Sequence, residues 1–141
     1  MLARPSELCH GQRKLGGIRK QANDLMDQLA RFHDTLATYR RHDWQLAQAL
    51  MSPATLAQHG AGAETSSPPT FGGVAVRPAQ FDALWFTRPS AGGREAWELR
   101  LITDAPYALF ELFEPDEDEE DRADVRREME ARLRDHLGLP A

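Results

Sequence analysis

The chain has 141 residues, a formal net charge of −5 and a single cysteine, Cys9. That length bounds it to one ordinary domain, or to a small domain with an extended helix, and a lone thiol excludes an internal disulfide. No apolar run approaches the roughly 18 residues that span a bilayer, and the first residues lack the apolar stretch of a signal peptide, so a cytoplasmic protein without membrane contact is expected.

Residues 1–14 read as a partly disordered N-terminal segment. Residues 15–51 carry the strongest pattern in the chain. With Leu15 at heptad position a, that position collects Leu15, Ala22, Leu29, Leu36, Asp43 and Leu50, while d collects Ile18, Leu25, Phe32, Tyr39 and Leu46. All but Asp43 are apolar, no proline intervenes, and helix formers dominate, which predicts a long coiled-coil-like helix of roughly 54 Å. Such a helix serves as an oligomerisation element, with Ile18, Leu25, Leu29, Phe32, Leu36, Tyr39, Leu46 and Leu50 as its interface. A parallel homodimer would set Lys14 against Arg19 of its partner, so an antiparallel partner, a larger bundle or a helix with acidic flanks suits the seam better. The alternative is that the stripe packs on the chain's own sheet. Asp43 either pins the register of a coiled coil or marks where the seam ends.

Residues 52–73 predict a short helix and a flexible linker. Ser52-Pro53 is a helix start, with serine at the N-cap and proline in the first turn, and Gly60 a stop. The run from Gly60 to Gly73 is small, polar and rich in Pro and Gly.

Residues 74–141 predict a small α+β head. Val74 and Val76 alternate before Pro78, residues 84–87 are β-prone, and Trp97, Leu99 and Leu101 alternate with Glu98 and Arg100. Residues 107–113 are apolar on both faces, which suggests a strand inside an antiparallel meander of three or four strands. Six consecutive acids, Asp116 to Asp121, precede an amphipathic helix whose stripe is Val125, Met129, Leu133 and Leu137. Acids at its start and Arg132, Arg134 and His136 near its end match the helix dipole. The fold class expected is therefore α+β: a long N-terminal helix, a small meander and a C-terminal helix.

The two halves differ in charge. Residues 1–50 hold eight Lys/Arg against five Asp/Glu (+3), and residues 51–141 hold nine against seventeen (−8). That polarity favours contact between the halves, in one chain or between subunits, with the acidic C-terminal helix as the internal candidate to face the first helix. It disfavours nucleic acid as a partner.

No constellation carries catalytic chemistry. The paired glycines lack the context and the Lys-Ser/Thr of a phosphate-binding loop. Cys9-His10 has no second cysteine at ligand spacing, and the five histidines lie far apart, so no metal or cofactor is expected. Glu111, flanked by Phe110 and Leu112, is an acid whose neighbour in a sheet would be Arg94 or Arg100. Trp85, Phe86 and Trp97 with Arg77, Arg88, Arg94 and Arg100 could make a stacking and phosphate surface on the sheet. The sequence thus points to a non-enzymatic oligomeric assembly or adaptor protein whose partner is a protein or a second copy. The alternative is a nucleic-acid-associated regulator that uses Arg13, Lys14, Arg19 and Lys20.

Overall fold

A computed structural model describes residues 17–60 and 69–140, with residues 17–27 as helical backbone only. Helix α1 spans Gly17–Arg41. Strand β1 is Gln45–Met51 and helix α2 is Pro53–His59. Strands β2 (Thr70–Phe71), β3 (Val74–Pro78), β4 (Ala83–Pro89), β5 (Glu95–Leu101) and β6 (Tyr107–Phe113) follow, and helix α3 (Glu119–His136) closes the fold.

The expected helix over 15–51 is corrected at its C-terminal end, because α1 has a definite stop. Asp43 takes a left-handed φ of 68°. The Trp44 amide donates to the Tyr39 carbonyl at 3.0 Å, and the Asp43 amide donates to the Arg40 carbonyl at 3.1 Å. These are the two bonds of a Schellman cap, and the apolar contact that accompanies one is Tyr39 edge-on to Trp44, with centroids 5.9 Å apart. The polar seam residue marks the end of the helix.

Beyond it, Gln45–Met51 is extended and central. The six strands form one mixed sheet in the order β2-β3-β1-β4-β5-β6, which replaces the expected meander of three or four strands. β1 pairs parallel with β3 and antiparallel with β4; every other pairing is antiparallel. A parallel neighbour needs a crossover, and α2 lies on that connection. Ala49, Leu50 and Met51 are fully buried. Residues with good helix propensity are held in a strand because both faces of β1 are covered and both edges paired.

The sheet separates two cores. On one face α1 and α2 enclose Phe32, Leu36, Tyr39, Trp44, Ala49, Met51, Phe71, Leu84 and Phe86. On the other, α3 lays Met129 and Leu133 over Leu50, Trp85, Leu99 and Leu101. The acidic C-terminal helix therefore does not face the first helix, as its charge suggested; the sheet lies between them. A register shift in β1 between Leu46 and Gln48 reverses the alternation, so Leu46 packs with α1 while Leu50 packs with α3.

Several local expectations match the structure. The Ser52 hydroxyl accepts from the Thr55 amide and Gly60 caps the C-terminus of α2. Asp118 caps α3 by accepting from the Asp121 amide at 2.9 Å. The end of the expected linker departs from a flexible reading: Thr70–Phe71 pairs with Val74–Pro78, the strand expected from Val74 and Val76, in a hairpin through Gly72 and Gly73, both at positive φ. Residues 61–68 lie outside the described part.

Candidate functional site

The predicted interface residues fall in three places. Phe32, Leu36 and Tyr39 are buried in this chain's own core, with Phe32 fully enclosed. Each such side chain contributes roughly 1.5–3 kcal/mol by leaving water, and that contribution is made within the chain. Leu29 is half-buried, Leu46 is partly buried in β1, and Leu50 is buried on the opposite face. Ile18 and Leu25 belong to the backbone-only part of α1, and their side chains lie outside the described residues. The same holds for Arg19 and Lys20, while Arg13 and Lys14 lie outside altogether.

Tyr39 shows how completely the seam is used at home. Its ring stacks on Phe86 at 4.0 Å, and its hydroxyl donates to Glu98 of β5. Burial, helped by the Glu98 carboxylate, pushes its pKa up to about 12. Trp44 fills the corner beside it, with the Arg88 guanidinium 4.5 Å from its ring.

A polar hub missed by the sequence reading locks α1 and α2 to β4. The Asp82 carboxylate accepts from the Ser52 amide at 2.7 Å, from the Thr55 hydroxyl at 2.7 Å and from the Gln28 amide at 2.9 Å. Thr55 is a buried polar residue, only 2 % exposed, so Asp82 satisfies it where water cannot. A single aspartate before a strand carries no signal of three partners from two helices.

The opposite end of the sheet is unfinished. The register Ala96↔Leu112, Glu98↔Phe110 and Arg100↔Ala108 puts Ala108, Phe110 and Leu112 on the face that carries α1, since Glu98 on that face meets Tyr39. Among the described residues nothing covers the two large ones: Phe110 is 55 % exposed and Leu112 37 %. The reading of 107–113 as an interior strand is thus corrected. Among the described strands β6 is an edge strand, apolar on both faces, with Phe110 and Leu112 exposed on one of them. Its seven residues, Tyr-Ala-Leu-Phe-Glu-Leu-Phe, include one charge and no proline or lysine, and no register shift interrupts its pairing with β5. Among the described residues, three usual protections of a sheet edge, proline, lysine and a bulge, are missing from β6. Glu111 lies opposite Trp97, while Arg94 pairs with Glu114.

The proposed stacking surface on the sheet is divided. Trp85 and Phe86 are buried on opposite faces, whereas Arg77 and Trp97 meet α3 along one groove. Among the described residues no group of three or more His, Cys, Asp or Glu side chains could hold a metal ion, and no helix is long and apolar enough to cross a membrane. Compared with protein-family models, curated proteins and solved structures, the chain matches none.

Proposed function

We propose that this chain is a non-enzymatic assembly protein that joins a second copy of itself along β6. The observation that carries this reading is the uncovered Ala108–Phe110–Leu112 strip on an unprotected edge strand. Exposed apolar side chains beside a row of unpaired backbone groups favour addition of a strand. The strand is also self-complementary. Antiparallel pairing about Phe110 sets Phe110 against Phe110, Ala108 against Leu112 and Leu109 against Glu111, so the strand's one carboxylate never opposes its own copy.

Light scattering on size-exclusion eluates tests this. The full chain is expected to elute at twice its chain mass, and Phe110→Glu with Leu112→Glu at the single-chain mass with an unchanged circular dichroism spectrum. Both substituted side chains are exposed, so the variant should fold. A variant that stays dimeric rejects β6 as the interface. A wild-type chain that is monomeric at all concentrations rejects the second copy as the occupant and leaves a different protein to be sought for the same edge.

A further inference from the structure

On the face that carries α3, away from the Phe110 strip, a groove of about 420 Å³ opens beside Arg77 of β3, Trp97 of β5 and Arg126, Arg127 and Glu130 of α3. Three guanidinium groups line it against one carboxylate, in a chain whose net charge is −5. That carboxylate is withdrawn. The Glu130 side chain is only 12 % exposed and accepts from the Trp85 indole at 2.9 Å and from Arg77. Two of the three cations are more open: the Arg77 side chain is 44 % exposed and that of Arg127 is 69 %, against 20 % for Arg126. Within the lining itself the accessible charge is thus cationic, while Glu119 and Asp124, the partners of Arg126 and Arg127, stand outside it.

The remaining ion pairs are exchangeable. Arg126 pairs with Glu119, and Arg127 with Asp124, two acids that are themselves largely exposed; pairs of this kind are worth little in water. Arg126 also has a buried Nη1 with no hydrogen-bond partner among the described residues. Its guanidinium lies 4.5 Å over the Trp97 ring, and Trp97 stands edge-on to Trp85 at 5.8 Å. Arg126 already covers that face of Trp97, so a planar ring can stack on the outer plane of a guanidinium backed by the indole, while a fork-shaped anion meets the guanidinium edges.

The geometry points to a binding site for a small organic anion, a carboxylate or phosphate carried on a planar aromatic ring. The site is independent of the proposed β6 contact, and it is tested on the full chain with phenyl phosphate, benzoate, phenol and inorganic phosphate, read by calorimetry and by tryptophan fluorescence. One or both aromatic anions should bind at least about tenfold more tightly than phenol or phosphate alone, since each lacks one half of the contact; which of the two binds tells phosphate from carboxylate. Arg77→Ala and Arg127→Ala should each weaken that binding about tenfold. Glu130→Gln keeps an acceptor for Trp85 and removes the opposing charge, so it should tighten binding several-fold. A groove that is merely structural packing would not respond in that direction. No response to either aromatic anion at about 10 mM, a concentration that would nearly fill a site with a Kd of about 1 mM, overturns the site. So does binding that survives both arginine substitutions, or that weakens in Glu130→Gln.

Discussion

Single residues decide where α1 ends and how its last turn responds to pH. Asp43 holds a left-handed backbone, which costs an L-residue about 1 kcal/mol or more and glycine almost nothing. Asp43→Gly should therefore stabilise the fold by about 1 kcal/mol, seen as a raised midpoint in urea, and Asp43→Val should lower it. Tyr39 gives the pH prediction. Its folded pKa, about 12, stands above the ordinary value of 10.0, so the folded state holds this proton more tightly than the unfolded chain. The resulting stabilisation is fully present below pH 10 and fades as pH rises from there through about 12. Absorbance titration of the phenolates should show a late-titrating tyrosine that is absent in Tyr39→Phe. If Tyr39→Phe leaves the phenolate titration with the same late component, the assignment fails.

At the level of elements, the sequence was readable wherever a local signal was decisive. Ser52-Pro53 and Gly60 framed α2, the alternation from Trp97 to Leu101 marked β5, and the acid block before a Met129–Leu133 stripe marked α3. It misled where the deciding forces were tertiary. Gln45–Met51 has helical propensities and fits the heptad, and short apolar runs do not tell helix from strand by periodicity. What makes it β1 is burial on both faces between β3 and β4. Phe32, Leu36 and Tyr39 form one apolar stripe in the sequence and in the core, but a stripe does not say whether its cover is another chain or this one. Asp82 was not legible at all, because its three partners come together only in the fold. Its replacement tests how firmly α1 and α2 depend on it. Asp82→Ala removes the acceptor for the Ser52 amide, Thr55 and Gln28 together and leaves the buried Thr55 hydroxyl without that partner. A loss of about 3 kcal/mol in chemical unfolding is expected, and a change below about 0.5 kcal/mol, the usual range for surface substitutions, would show the hub to be incidental.

For the molecule as a whole, one sheet shared by two cores leaves a single asymmetry, at its edges. The β2 edge is only two residues long. Gly72 there packs so closely on Leu46 and Leu36 that a Cβ would come within 2.9 Å of the first. The β6 edge is seven residues long, regular and apolar. A strand that reads as interior by composition yet stands at an edge has the character of an interior strand lacking its neighbour, and the proposed second copy supplies one. Amide exchange separates this from a merely sticky surface. In the dilute chain, β6 amides that point to β5 should exchange slowly, and those that point outward should exchange at rates close to exposed backbone. At concentrations where the chain is dimeric, the outward set should become protected, while the β2 edge stays unchanged. Non-specific association through Phe110 and Leu112 side chains alone would bring mass without that alternate protection, because it forms no ladder. Dimerisation with unprotected outward amides would therefore keep the apolar strip as the contact and reject strand pairing as its geometry.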